Sequence, residues 1–292
     1  MKLAYISTYL PRLCGIATFT KDIVQAISFH GDSNLRQEIF ALTDDGEQYD
    51  YPEEVVFSIA QQHKEDYVKA AKYINAHDYD VCVVEHEFGI FGGNSGVYLL
   101  SLIKQVQVPV LVNLHTVLEN PSADEKAVML EIAARADKIV VMSSYAIDIL
   151  RRVDGVREEQ ILCIPHGGPQ YKKNQADAKA ALGLTGRKVL LTFGLIGRSK
   201  GIDIAIKALP QVVAQFPDLL YLVVGKTHPH IIKHAGEEYR ESLVRLVAEL
   251  GLQENVQFVN SFVETELLTE YLSACDVYIT PYVNEAQITS GT

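Results

Sequence analysis

The stretch between residues 161 and 193 decides the fold. It opens with ILCIPHGGP at residues 161–169 and closes with KVLLTF at residues 188–193. Each end holds a short apolar run typical of a buried strand. The residues between contain turn-forming glycines and prolines and a helical piece at Asn174–Leu182. An interruption of this kind between two apolar strands predicts a boundary between two domains.

Short apolar runs alternate with helix-period stretches, such as Ala17–Phe29 and Val97–Val106, on both sides of this boundary. Continuous apolar strands separated by helices indicate parallel sheets that are covered on both faces. The expected strands are Leu3–Ser7, Glu38–Leu42, Val55–Ser58, Val81–Glu85, Val110–Asn113, Lys138–Met142, Ile161–Ile164, Val189–Phe193, Tyr221–Gly225, Val256–Val259 and Val277–Thr280.

The expected fold class is α/β with two doubly wound, Rossmann-like domains, because so many parallel strands in one open sheet would be unusual. We predict an N-terminal domain over residues 1–170, a linker over 171–186 and a C-terminal domain over 187–292.

Composition places the chain among ordinary globular proteins. Of its 292 residues, 48% are hydrophobic and 22% are charged, which excludes a disordered chain. Its apolar runs are shorter than the roughly 20 residues of a membrane-spanning helix. The first strand leaves too little sequence for a signal peptide, so we expect a cytoplasmic protein. The chain has four cysteines, Cys14, Cys82, Cys163 and Cys275. Three of the four lie in apolar runs, which predicts buried free thiols.

Charge is spread unevenly along the chain. The formal net charge is −11. Through Tyr171 there are 14 basic and 24 acidic residues, a balance of −10, and the rest has 12 and 13, a balance of −1. Neither half has the basic surface that nucleic acid requires. A small anionic ligand suits the nearly neutral second half better.

Ligands of open parallel sheets bind beyond the carboxyl ends of the strands, so the residues that follow each strand are the candidates. Gly15 lies in a loop that opens onto a helix, where free backbone amides favour phosphate. An ordinary turn with Gly15 at positive φ is the alternative. The fourth strand is followed by Glu85, His86 and Glu87 and a glycine-rich loop. We interpret that loop as substrate-facing, with Glu87 as a candidate, rather than as a metal site.

His115 follows the fifth strand, where an imidazole can bind a sugar hydroxyl or carry a proton. A histidine that only caps a turn is the alternative.

In the second half, residues 192–201 read TFGLIGRSKG and run from a strand into a helix. Arg198 and Lys200 together with the helix end suit a diphosphate, and Gly194 is a candidate for close approach to the substrate. Solvated surface cations are the alternative. The spacing fits neither a P-loop nor the nicotinamide fingerprint. Near the end of the chain, Glu285, Gln287 and Thr289 are candidates to contact the substrate.

In their order and spacing, these motifs resemble the family-4 retaining glycosyltransferases of the GT-B fold. The Gly15 loop is similar to the family's first glycine loop, and His115-Thr116 to its histidine at a strand end. Residues 164–168 resemble the entry to its interdomain linker, and Lys200-Gly201 the end of its Gly-Arg-Leu-x-x-x-Lys-Gly motif. The run from Val256 to Pro281 resembles the stretch before its donor loop.

The resemblance implies transfer of a hexosyl group from a nucleotide-diphosphate sugar to a saccharide or other hydroxyl acceptor, with retained configuration and without a metal or other cofactor. His115 and Glu285 would be catalytic, and Gly15, Arg198 and Lys200 would bind the donor diphosphate. A mannosyl or glucosyl donor is favoured. The sequence indicates no membrane association.

Departures from the family pattern keep two alternatives open. Leu195 stands where the family has an arginine, and the family's second glutamate would fall one position beyond Thr292. One alternative is a non-catalytic nucleotide-sugar-binding fragment. The other is a different GT-B enzyme, such as a sugar-nucleotide epimerase. We also expect an incomplete second domain with an exposed apolar sheet edge.

Overall fold

The computed structural model describes residues 1–31, 34–153, 155–168, 173–227 and 229–283. The chain divides into two compact units, of which the first is Met1–Gly167 and the second begins at Gly168. Each unit has its own parallel sheet, which confirms the predicted α/β class. In the part of the chain that the structure describes, no helix combines the length and the apolar character needed to cross a membrane.

The first unit is built on a parallel sheet whose strand order is β3-β2-β1-β4-β5-β6-β7, as far as its described residues show. The chain starts at a central strand, winds to one edge and returns to build the other half, which is the doubly wound arrangement. The strands are β1 (Lys2–Ser7), β2 (Arg36–Thr43), β3 (Val55–Ala60), β4 (Val81–His86), β5 (Val110–Leu114), β6 (Lys138–Val141) and β7 (Ile161–Cys163).

Helices cover both faces of this sheet, so neighbouring residues of one strand are buried on opposite sides. Ile6 and Phe40 belong to the larger apolar cluster, whereas Tyr5 and Ile39 pack on the other face with Val24. This burial explains the nearly continuous apolar strands of the sequence. The helices are α1 (Gly15–His30), α2 (Lys64–Ala76), α3 (Leu100–Ile103), α4 (Ala123–Arg135) and α5 (Ser144–Leu150).

One helix of the first unit differs from the prediction. The sequence predicts a continuous helix over Val97–Val106, but the chain forms a 3₁₀ segment at Asn94–Leu99 followed by the single turn of α3. Ser95 and Gly96 have positive φ there. Gly96 packs so closely on Phe88 that a Cβ would lie 3.0 Å from the Phe88 carbonyl oxygen. Tight packing within the glycine-rich loop therefore replaces the regular helix.

The second unit repeats the same plan on a smaller scale. In the part that the structure describes, its parallel sheet has the order β10-β9-β8-β11. The strands are β8 (Lys188–Phe193), β9 (Leu219–Val224), β10 (Val256–Val259) and β11 (Val277–Tyr278). The helices are α6 (Gln175–Ala181), α7 (Ile202–Val213), α8 (Pro229–Ala235), α9 (Glu238–Glu249) and α10 (Thr265–Ala274). Val277 on β11 is 54% exposed, which leaves an apolar residue at this edge of the sheet.

Residues expected to form a linker contribute to the core of the second unit. Ala178 of α6 and Leu184 are buried in the same apolar cluster as Leu222 and Ala274. Helix α6 packs on α10. The division between the units accordingly falls earlier than the predicted linker over residues 171–186, because an apolar helix face here is covered by the second sheet.

The cysteines are free thiols, but the expectation that three of them are buried was wrong. Cys82 is buried, Cys14 and Cys275 are half-buried, and Cys163 is exposed. Cys163 lies on β7, which is an edge strand, so its apolar sequence neighbours do not shield it from solvent.

Asp276 joins three parts of the second unit. Its carboxylate accepts hydrogen bonds from the Val189 amide at 2.6 Å, from Lys179 Nζ at 2.7 Å and from Gln175 Nε2 at 3.3 Å. Burial raises the pKa of this carboxyl, but the hydrogen bonds from Lys179 and the Val189 amide outweigh burial and leave the pKa lowered. The charged form therefore stabilises the attachment of α6 to the sheet.

We expect Asp276→Asn to lower the free energy of unfolding at neutral pH by about 1–2 kcal/mol, near the low end because the carboxylate is partly exposed. A depressed carboxyl pKa stabilises the fold above the unfolded pKa, and this contribution is lost as the pH falls through the folded pKa. The difference between the two proteins should therefore disappear in acid. Denaturant titrations at neutral and acid pH measure it, with Asp218→Asn, which removes a surface ion pair with Lys188, as control. Equal losses in both variants would contradict the assignment.

Candidate functional site

In the first unit, polar side chains meet where β4 and β5 end. Glu85 and Asn113 are direct neighbours in the register of these strands. The Glu85 carboxylate accepts a hydrogen bond from Asn113 Nδ2 at 3.0 Å and lies 2.8 Å from His115 Nε2. Glu85 is only 1% exposed, whereas the His115 side chain is 13% exposed. The buried carboxylate thus fixes the orientation of an imidazole that still reaches the surface.

Three consecutive ionisable residues, Glu85, His86 and Glu87, lie at the end of β4. Because side chains alternate along a strand, neighbouring residues point to different sides. Glu85 turns toward His115, while His86 lies between Phe88 and Phe91, at ring-centroid distances of 4.9 and 5.8 Å. Glu87 accepts hydrogen bonds from the Phe88 amide at 3.0 Å and from the Thr116 hydroxyl. The described side chains include no group of three or more potential ligands arranged to hold a metal ion.

Helix α1 begins at Gly15, close to the end of β1. Its N-cap residue is Cys14, and within the described residues no side chain caps the helix. Gly15 does not take positive φ, so the alternative of a glycine-requiring turn was wrong. A Cβ on Gly15 would meet nothing within 4 Å, which leaves the first backbone amides of α1 approachable. Thr18 bonds back to the Cys14 carbonyl at 3.5 Å within the helix.

Two further side chains at this edge carry no obvious sequence signal. Phe19 of α1 packs between two imidazoles, with its ring centroid 4.8 Å from that of His115 and 5.0 Å from that of His166. Arg12 donates to Asp44 at 2.7 Å and to the Leu42 carbonyl at 3.1 Å. Neither residue was a candidate from the sequence, and only their closeness to Gly15 in the sequence could have identified them.

In the second unit, the loop after β8 is held by close backbone contacts. Gly194 and Gly225 both have positive φ, and a Cβ on Gly225 would lie 1.9 Å from the Gly194 carbonyl oxygen. Arg240 of α9 is 7% exposed and donates to the Gly225 carbonyl and to Thr227 Oγ1. The loops after β8 and β9 are therefore packed backbone to backbone at the carboxyl end of the sheet.

The two cations of the loop after β8 face different partners. They belong to a 3₁₀ turn, Arg198–Lys200, whose three residues per turn direct residues two apart to different sides. Arg198 lies 3.4 Å from Glu238 and 5.1 Å from the ring centroid of Tyr239, and it is largely exposed. Lys200 Nζ donates to the Tyr282 hydroxyl at 2.7 Å. In the structure, the two cations therefore contact different partners.

Gly201 joins the Lys200 turn to α7. It has a φ of 61°, and a Cβ there would lie 1.9 Å from the Pro281 carbonyl oxygen. Only glycine permits both the left-handed conformation and this close approach. The loop after β11 consequently lies directly against the start of α7. The candidates Glu285, Gln287 and Thr289 lie outside the described residues.

Parts of the sequence are similar to known proteins. Residues 174–287 match the family described as glycosyl transferases group 1. A GDP-mannose-dependent alpha-(1-6)-phosphatidylinositol monomannoside mannosyltransferase of Mycolicibacterium smegmatis is 31% identical over 109 residues, 36% of this chain and 26% of that protein. A D-inositol 3-phosphate glycosyltransferase of Nocardia farcinica is 27% identical over 162 residues, 53% of this chain and 35% of that protein. The matches thus span about a third or less of these relatives.

Among solved structures, the HepE protein of Anabaena in complex with UDP and glucose is similar over 95% of this chain and 73% of its own, with a TM-score of 0.71 and 16% identity. Both units therefore have the fold of the GT-B glycosyltransferases. Within that fold, the second unit carries a glycosyl transferases group 1 domain.

The buried ring of His86 makes stability depend on pH. Neither ring nitrogen has a hydrogen-bond partner among the described residues. Burial, and to a smaller extent the neighbouring His115, lowers the pKa of His86 to about 3. The ring therefore stays neutral in the folded protein at pH values where the unfolded chain, with a histidine pKa of about 6.5, is already protonated.

We expect the free energy of unfolding to fall as the pH drops from about 6.5 toward 3, by up to about 1.4 kcal/mol per pH unit from this group, because the unfolded state binds the proton. His86→Leu should remove that part of the slope. Denaturant titrations across this range measure it, with the exposed His63→Leu as control. The same slope in His86→Leu and the unaltered protein would contradict the assignment.

Proposed function

We propose that the protein is a glycosyltransferase that moves a hexosyl group from a nucleotide-diphosphate sugar to a hydroxyl acceptor with retained configuration. The fold and the group 1 domain at residues 174–287 support a transferase. For the narrower choice of donor, the mannosyltransferase relative uses GDP-mannose, and HepE was crystallised with UDP and glucose. These properties of the two relatives support a mannosyl or glucosyl donor.

The observation that carries this proposal is the placement of Lys200. Its ammonium group lies at the carboxyl end of β8, directly before α7, inside the matched domain. A nucleoside diphosphate leaves with growing negative charge, and a fixed cation beside a helix N-terminus stabilises such charge as it develops. We propose that this charge stabilisation makes a metal unnecessary for the transfer. Arg198 is proposed as a second, more mobile contact to the diphosphate because its side chain is 71% exposed.

In the first unit, we propose that the uncapped amides of α1 beginning at Gly15 bind the donor diphosphate and that His115 positions the sugar. The hydrogen bond to buried Glu85 restricts the His115 ring to one orientation, which is what precise contact with a sugar hydroxyl requires. Glu285 is proposed to bind hydroxyls of the transferred sugar, with Glu87, Gly194, Gln287 and Thr289 as further contacts. The Phe88 amide and the Thr116 hydroxyl already hold the Glu87 carboxylate, so Glu87 would contact the sugar from a fixed position.

The acceptor is proposed to be a saccharide or another hydroxyl compound that is neutral or cationic, because the first half of the chain carries a balance of −10. The same charge makes nucleic acid an unsuitable partner. A cytoplasmic location is proposed because nucleotide sugars of this kind are the expected substrates and because the four cysteines are free thiols, as in a reducing compartment.

Titration with UDP-, GDP- and ADP-sugars tests the diphosphate site. We expect at least one of these donors to bind and Lys200→Ala to weaken its binding by about 10- to 100-fold, the value of a lost charge-assisted hydrogen bond. Lys188→Ala is the matched control, because Lys188 lies on the same strand β8 but at its amino end. Calorimetry measures both affinities. Equal binding to Lys200→Ala and the unaltered protein would rule out this site.

Turnover tests the transferase assignment. We expect nucleoside diphosphate to be released only when an acceptor is present, unchanged by EDTA, and the kcat of His115→Ala to fall by about 10²-fold or more, since misplaced reactants cost this much. His30→Ala is the control, because His30 ends α1 far along the helix from Gly15. Binding without turnover would favour the non-catalytic alternative. Interconversion of nucleotide sugars without acceptor would favour an epimerase.

A further inference from the structure

Lys200 is held by an aromatic residue from a neighbouring loop. Its ammonium nitrogen donates to the Tyr282 hydroxyl at 2.7 Å and lies 4.0 Å from the centroid of the same ring. One tyrosine thus offers the cation both a hydrogen-bond acceptor and the face of an aromatic ring. Strands β8 and β11, which precede the two loops, are adjacent in the sheet.

Backbone contacts fix Tyr282 relative to Lys200. The Val283 amide donates to the Ser199 carbonyl at 3.1 Å. On the other side of Tyr282, the Pro281 carbonyl occupies the space that a Cβ on Gly201 would fill. Residues 281–283 therefore contact residues 199–201 through one backbone hydrogen bond and one close backbone approach. The Lys200–Tyr282 pair lies between these two contacts.

We propose that Tyr282 is a positioning residue for Lys200, and that it raises the affinity of this site for the diphosphate of the donor. This inference rests on the proposed function. A free lysine side chain loses rotamer entropy when it is fixed, and a site that is already ordered avoids this loss on binding. Because an ammonium group has three hydrogens and Tyr282 accepts one, Lys200 retains donors for a phosphate oxygen.

Two substitutions separate the contributions of the hydroxyl and the ring. Tyr282→Phe removes the hydrogen bond and keeps the ring face, and we expect it to weaken binding of the nucleoside diphosphate by about fivefold. Tyr282→Leu removes both, and we expect about 10- to 25-fold weaker binding. The probes are UDP, GDP and ADP, with uridine, guanosine and adenosine as phosphate-free controls whose affinity should stay unchanged. Tyr271→Phe on α10 is the matched control for loss of a hydroxyl in the same unit.

A double-mutant cycle shows whether Tyr282 acts through Lys200. When Lys200→Ala is already present, the Tyr282 substitutions should change the affinity by less than about twofold, because a positioning residue has no effect without the group it positions. Full additivity of the two effects would overturn the proposal, since it would mean that Tyr282 acts independently. Thermal unfolding of each variant checks that the fold is retained.

The outcomes distinguish this inference from the proposed function. If the unaltered protein bound none of UDP, GDP and ADP, the proposed function itself would be contradicted. If it bound one of them and both Tyr282 variants bound it equally well, the function would stand and the positioning role would be wrong. Loss of uridine, guanosine or adenosine binding in the Tyr282 variants would likewise overturn the proposal, because the effect would not depend on the phosphates.

Discussion

Parallel pairing of neighbouring strands is the constraint on which the other features of this protein depend. Parallel neighbours cannot be joined by a tight turn, so the chain crosses over a face of the sheet before each new strand. In each unit, the carboxyl ends of the strands consequently lie along one edge, and the loops that follow them begin there. Glu85 and Asn113 become neighbours only through the register of β4 and β5. In the second unit, the pairing of β8 with β11 brings Lys200 beside Tyr282.

The class of fold is readable from the sequence because burial on both faces leaves a local signal. Tyr5 and Ile6 are adjacent in β1 and enter different apolar clusters, so the strand shows no polar side. The extent of each unit is not readable in the same way. The helix at Gln175–Ala181 follows a turn-rich segment typical of a linker, and only its packing against α10 assigns it to the second unit. A short apolar helix face does not reveal which surface covers it.

The candidate site was predictable in position but not in its pairings. Residues after strand ends were identifiable, and His115 and Lys200 lie at such ends. Their partners were not identifiable, because Glu85 is 30 positions from His115 and Tyr282 is 82 positions from Lys200. Arg198 shows the limit most clearly. Its distance of two residues from Lys200 suggested a shared ligand, but the 3₁₀ turn directs it toward Glu238.

The contact between Gly194 and Gly225 has a consequence for motion in the second unit. With a backbone approach this close, neither loop can shift alone without a collision or a gap. Arg240 attaches the Gly225 loop to α9. A ligand that displaced the Gly194 loop would therefore press on the Gly225 loop and, through Arg240, on α9.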